Sequence, residues 1–315
     1  MISFRFHIVS ITAIFLAIAI GVVVGSTYVE GFTVDQLERR IETVEQRADK
    51  AREENSRLED ELDATRGYIE LSSEYAVTDR LTDVPVLLLA ARGVDEESVQ
   101  RTVDLTRQAG GVTPGVVWLE PRWALEDGDD VEALAAIVGG SSSDDPQELR
   151  AAAWAGITDE LATADVSEQG QSGTMLGELE AAGFLTVDTL GDDSTELVDL
   201  AGAAPRVLVV TGARAQPEVA PVVPVAISAS VDGGLVTVAG DVYVQADEAP
   251  ERGTDLAGML DDSTRDAIVI VDDADLEAGR VAAVLSLDSA ADGQLGFHYG
   301  YGDGADGVLP AWTAP

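Results

Sequence analysis

Few side chains in this sequence could carry out chemistry. Its 315 residues include no Cys, two His and three Met. Without Cys there is no disulfide, no thiolate zinc or copper site and no thiol nucleophile. His7 lies in the apolar opening of the chain, so His298 is the one imidazole available elsewhere. It sits in Gly296-Phe-His298-Tyr-Gly300-Tyr-Gly302-Asp303-Gly304-Ala-Asp306-Gly307. His298, Asp303 and Asp306 form a candidate cation site. Three nitrogen and oxygen donors suit a hard or borderline ion better than Cu(I). The same segment also reads as a Gly-rich tail folded over a sheet edge, with Tyr299 and Tyr301 as packing anchors. We favour that second reading. A Ser-His-Asp triad would have to use His298, and no Gly-x-Ser-x-Gly, His-Glu-x-x-His or Gly-x-x-x-x-Gly-Lys-Ser/Thr motif is present. The expectation is that the protein is not an enzyme.

The elements that would hold these residues begin with charge. Asp and Glu number 58 against 19 Lys and Arg, for a formal net charge of −39. Such a chain should not neutralise phosphates, so nucleic acid is excluded as a partner. Lys50 is the only lysine. The acidity reads either as a cation-attracting surface or as a solubility adaptation to a salty habitat, and the second is favoured. Aromatics are only 5% of residues, so the core must be aliphatic.

Residues 8–29 form an apolar stretch of about 33 Å as a helix, enough to cross a bilayer. The small-x-small pattern of a signal-peptidase site occurs only inside the run, at Ala17-Ile-Ala19. This favours an uncleaved anchor in contact with membrane lipid. Arg5 precedes the span, and Glu30 and Asp35 follow it. Residues 1–7 are therefore expected in the cytoplasm and the remainder outside. Ala13, Ala17, Gly21 and Gly25 make a small-residue stripe that would let two such helices approach closely.

Residues 33–76 read as a coiled coil. Val34, Leu37, Ile41, Val44, Ala48, Ala51, Asn55, Leu58, Leu62, Thr65 and Ile69 keep a 3-4-3-4 spacing, with Val34 at position a. The rod would be about 50 Å long. Asn55 at an a position favours two strands in register. In a parallel homodimer Arg40 would attract Glu45 and Glu61 would attract Arg66. Arg47 would repel Arg52, and Glu54 would repel Glu59. A homodimer through the span and the coil is expected, and the mixed charges leave room for a different partner helix.

Residues 81–295 alternate short apolar runs with polar helices, and residues 296–315 form the Gly-rich C-terminal tail. Strands are expected over 84–90, 115–119, 184–187, 206–211, 235–239 and 267–271. Helices are expected over 96–108, 131–138, 146–162, 172–182, 222–231 and 275–289, the last with Asp272 or Asp273 available as its cap. Continuous rather than alternating apolar strands imply an α/β fold, with a mostly parallel sheet covered by helices. The runs are too few and too short for a transmembrane barrel.

Three features together are similar to the actinobacterial MctB family of copper transporters. They are the opening Met1-Ile-Ser-Phe-Arg-Phe-His-Ile-Val-Ser10 leading into Ala17-Ile-Ala-Ile-Gly-Val-Val-Val-Gly25, the coiled coil directly after it, and the ending His298-Tyr-Gly-Tyr-Gly-Asp-Gly-Ala-Asp306. The resemblance runs the whole length of the chain. It implies an envelope protein connected with copper export and copper homeostasis, with copper ion as cargo. Through relatives in wall-bearing bacteria it also implies a link to cell-separation hydrolases. An alternative is a dimeric envelope scaffold whose coil recruits or regulates a cell-wall partner. No copper ligand carries over by motif.

Overall fold

The computed structural model describes residues 4–163, 174–189, 195–212, 214–242, 244–246, 249–251, 256–302 and 304–311. The chain divides into two units, Met1–Arg66 and Gly67–Pro315. The first unit is helical, and its helix α1 (Phe4–Val77) continues into the second. Its apolar span falls over Phe4–Gly25, 22 residues that begin four positions before the sequence reading placed them. No Pro occurs in α1. Thr12, Thr43 and Thr65 return their hydroxyls to the carbonyl four residues back, at 2.7–2.8 Å, so these polar side chains leave the helix unbroken.

In the second unit the elements follow in the order β1 (Val86–Ala91), α2 (Glu96–Gln108), β2 (Val116–Leu119), α3 (Gly128–Val138), α4 (Pro146–Thr163), α5 (Met175–Ala181), β3 (Leu185–Asp188), β4 (Arg206–Gly212), α6 (Val223–Asp232), β5 (Thr237–Val242), β6 (Val244–Ala246), β7 (Ala249–Glu251), α7 (Leu256–Met259), α8 (Asp262–Asp266), β8 (Val269–Val271), α9 (Glu277–Ala291) and β9 (His298–Tyr299). Seven strands make one sheet in the order β3-β2-β1-β4-β5-β8-β9. All neighbours are parallel except β3, which runs antiparallel to β2. Strands β6 and β7 pair separately as a hairpin. The fold is the α/β arrangement that the apolar runs imply.

Every residue of β1, β2, β5 and β8 is buried, as parallel strands require when helices lie on both faces. Helices α2 and α9 pack on each other and on the sheet, while α3, α4 and α6 form a second packed group. Asp95 caps α2 by accepting the Ser98 N–H at 3.0 Å. Where α1 enters this unit, Ser73 and Val77 are buried and Ile69, Ser72 and Ala76 are half-buried.

The sheet has its switch point between β1 and β4, where α/β folds commonly bind ligands beyond the carboxyl ends of the strands. Here that crevice is filled. Arg92, the residue after β1, donates through Nε to Glu120 at 3.1 Å and lies 4.4 Å over the Trp118 ring. Its carbonyl accepts the Gln216 N–H at 2.8 Å. Gly93, with φ of 98°, passes so close to the Arg214 carbonyl that a Cβ would stand 2.5 Å from it. A chain crossing lies where a phosphate would need open backbone amides.

Three buried rings pin the α3–α5 layer. Trp123 lies 5.9 Å from Trp154 and 5.2 Å from Phe184, centroid to centroid. The indole nitrogens of Trp123 and Trp154 are buried without an acceptor among the described residues. The ring volume at Trp154, rather than its polar edge, therefore carries the stability. Trp154→Ala should cost about 3–5 kcal/mol in chemical denaturation of the full chain. Trp154→Phe should cost under about 1.5 kcal/mol, because it removes an unsatisfied donor along with some volume. Equal losses in the two variants would contradict this account.

Candidate functional site

The one histidine outside the apolar opening lies on the edge strand. Strand β9 holds only two residues, yet it is fixed by a continuous ladder. Gly296 donates to the Ile268 carbonyl, Ile270 to Phe297 and Asp272 to Tyr299, at 2.8–3.0 Å. The chain then turns back on itself. Gly300 donates to the Gly307 carbonyl at 2.9 Å, and Asp306 donates to the His298 carbonyl at 2.7 Å. The tail thus covers the open side of β9, which would otherwise present unpaired amides to solvent. Tyr299 is buried and stacks with Phe297 at 5.8 Å, whereas Tyr301 is nearly half exposed. Tyr299 is the packing anchor that the sequence reading expects. The Tyr301 ring is not buried, and its backbone N–H is held by Asp273 at 3.1 Å.

Asp272 is the centre of this corner, and the sequence reading did not place it there. Its Oδ2 stands 2.8 Å from His298 Nε2, although the two are not aligned as a good hydrogen bond. The tail glycines close around it. A Cβ at Gly300, where φ is +141°, would come within 2.5 Å of the Asp272 Cβ, and one at Gly302 would collide with its carboxylate. Gly300 is required by its positive φ and its approach to the Asp272 backbone, whereas at Gly302 the end of the carboxylate side chain could give way. Asp272 and Asp273 were candidates to cap the last long helix. Instead α9 begins at Glu277 with Leu276 as its N-cap and no side-chain cap bond. Both aspartates turn to the tail because β8 ends beside it. The signal available in the sequence was the Asp-Asp pair directly after an apolar strand.

His298 faces Asp272. Asp306 lies in the same turn, but its Oδ2 accepts the His298 backbone N–H at 3.0 Å instead of standing beside the imidazole as a co-ligand. Asp303 lies outside the described residues. Among the described residues, no three or more His, Cys, Asp or Glu side chains are grouped so as to hold a metal ion. The arrangement protonates the imidazole more readily than usual. The contact with Asp272 raises the His298 pKa most, burial opposes it, and the charges of Asp272 and Asp306 add to the rise.

In the first unit, Ala13, Ala17, Gly21 and Gly25 are exposed, and a Cβ at Gly21 or Gly25 would meet nothing within 4 Å. Asn55 is exposed, as are its seam neighbours Ile41, Val44, Leu58 and Leu62, each about half to two-thirds accessible. Arg57 holds Glu54 at 2.6 Å and also Glu61, and Arg52 holds Asp49 at 2.8 Å, all within one helix.

The family described as "Copper transport outer membrane protein, MctB" matches residues 1–310. The chain belongs to the MctB family. Proteins named "Copper transporter MctB" from Mycobacterium tuberculosis and Mycobacterium bovis are each 27% identical to it over 335 aligned positions. The alignment covers 98% of this chain and 99% of theirs. The Mycobacterium leprae protein of the same name matches at the same identity and coverage. The MctB relationship therefore takes in the apolar helix, the long charged helix and the α/β unit together. The main sheet of this MctB chain is mostly parallel and flanked by helices. A membrane barrel would be antiparallel, with residues alternating toward lipid.

The ion pair at the sheet edge generates a pH dependence. The folded-state pKa of His298 lies above its unfolded value. Its contribution is therefore complete below about pH 6.5 and fades as pH rises through the folded pKa. His298→Gln should lower stability by about 1 kcal/mol near pH 5.5 and by much less near pH 9, read by denaturation of the full chain at both pH values. A loss that is the same at both would show that the ring acts by packing alone.

Proposed function

We propose that this protein acts in copper homeostasis at the cell envelope, as a helix-anchored parallel homodimer that does not itself hold Cu(I) tightly. The observation that carries the copper part is the match along nearly the whole chain to relatives named copper transporters. The anchored part rests on the 22-residue apolar span near the N-terminus. Arg5 before the span and acidic residues after it favour a globular unit outside the cytoplasm. The indirect role follows from donor chemistry. With no Cys, and with His298 turned to Asp272, the donors left in quantity are carboxylates, which are too hard to select Cu(I).

A strain lacking the protein should grow normally on low copper and fail at copper levels the parent tolerates. Growth identical to the parent across the range would remove the copper role. The purified full chain, titrated against a calibrated Cu(I) chelator, should compete no better than an acidic control protein. A stoichiometric site that survives picomolar competition would restore direct binding.

The dimer is supported by the uncovered seam and by the helix's own ion pairs. The two repelling cross-pairs expected of a parallel dimer are Arg47 with Arg52 and Glu54 with Glu59. In each, one member is already held within its own helix, Arg52 by Asp49 and Glu54 by Arg57. That lowers the repulsion a second copy would meet. Asn55→Leu should tighten self-association of the reconstituted full chain at least tenfold and let species other than dimers appear. A wild-type chain that stays monomeric in the membrane, with no response to Asn55→Leu, would point to a different partner helix.

A further inference from the structure

A groove of about 960 Å3 runs between α4 and α6, far in kind from the sheet-edge corner. Its middle is apolar, with Ala151, Ala155, Pro224 and Val225 in the wall. Its polar residues separate by sign along α4. Arg150 lies in the second turn, and Asp159 lies nine residues on, about 13 Å along the axis. Asp232 joins Asp159 at that far end, because Gly233 after α6 packs against Thr158.

Arg150 is the unusual member. It is 8% exposed, and its guanidinium is fixed from behind. Nε donates to the Trp123 carbonyl at 2.7 Å and Nη2 to the Ala124 carbonyl at 2.6 Å. Among the described residues Nη1 has no acceptor, and no carboxylate stands within ion-pair distance of the guanidinium. Arg92, Arg122, Arg206, Arg265 and Arg280 each hold an acid. In a chain with 58 acidic residues, a buried arginine left without one is a positive charge kept open. Burial lowers its pKa, with the charge of Asp145 pulling the other way, so a counter-anion would relieve a cost already present.

We propose that this groove binds a small monocarboxylate with an apolar body. The carboxylate meets Arg150 Nη1, and the body lies along Ala151, Ala155, Pro224 and Val225. One free nitrogen, in a unit whose sequence holds no lysine, suits a single negative charge better than a phosphate dianion. Asp159 and Asp232 exclude a second anionic end. The volume falls within the range of small-molecule sites.

The test uses the full chain in lipid nanodiscs with octanoate as the probe, its binding read by ligand-observed NMR against empty nanodiscs. Octanamide and nonanedioate serve as comparison probes. Octanoate should bind saturably and at least tenfold more tightly than either. Arg150→Gln should bring octanoate down to the octanamide level. Because that variant also loses bonds to Trp123 and Ala124, a second variant guards the result. Ala155→Phe fills the groove from an exposed position and should abolish octanoate binding while the fold stays intact. Octanoate binding no tighter than octanamide, or unaffected by Ala155→Phe, would overturn the proposal.

Discussion

The globular unit depends on one constraint, a mostly parallel sheet whose strands β1, β2, β5 and β8 have no wet face. Strands β1, β2, β5 and β8 are buried along their whole lengths, so each must be apolar at successive positions and each face must be covered by helices. With aromatics scarce, Val, Leu, Ile and Ala supply nearly all of that burial, and the few large rings are concentrated between α3, α4 and α5. Apart from buried Asp241 in β5 and Asp273 after β8, acidic side chains are carried mainly on helix surfaces and loops, where water and salt screen them. Several arginines hold a carboxylate close by, as Arg122 does with Asp130, Arg265 with Asp262 and Arg280 with Glu277, while Arg92 reaches Glu120 after the neighbouring strand.

That constraint also explains what could be read from the sequence. The strands at 206–211 and 84–90 show themselves as aliphatic runs, and the structure places β4 at Arg206–Gly212 and β1 at Val86–Ala91. The helix over 96–108 is observed as Glu96–Gln108, because Asp95 caps it and Gly110-Gly111 follows it. Strand β5 is different. The run at 235–239 continues as Thr237–Val242 through Gly240 and Asp241, residues that look like a turn and are in fact buried between β4 and β8. Strand β9 is two residues inside a glycine-rich segment, too short to show any period, and only its ladder to β8 makes it a strand. The antiparallel β3 cannot be told from a parallel strand by composition, since direction is set by where α5 delivers the chain.

The candidate ligands were legible as residue types but not as partners. Sequence proximity joins His298 to Asp303 and Asp306. The fold joins His298 to Asp272, 26 positions earlier, because β8 and β9 are neighbours. A spacing argument sees only one side of a sheet edge. What the glycines contribute could be inferred in kind, a segment that is not a helix, but not in purpose. Gly300 and Gly302 leave room for one specific carboxylate.

The same geometry bears on how a copper-family protein can be built with so few soft donors. A binding loop needs side chains that converge on a point left open for the ion. Here the backbone and side chains converge on Asp272, and the space is already used by the tail that closes the sheet edge. Asp306 is committed to an amide, and the His298 ring to a carboxylate. Opening this corner to an ion would give up the His298–Asp272 contact and the Asp306 bonds that hold the tail against β9, so the corner is better suited to holding the tail than to releasing it. Among the described residues the ending of the sequence closes the sheet edge, while Arg150, on the face built by α4 and α6, rests on the Trp123 and Ala124 carbonyls.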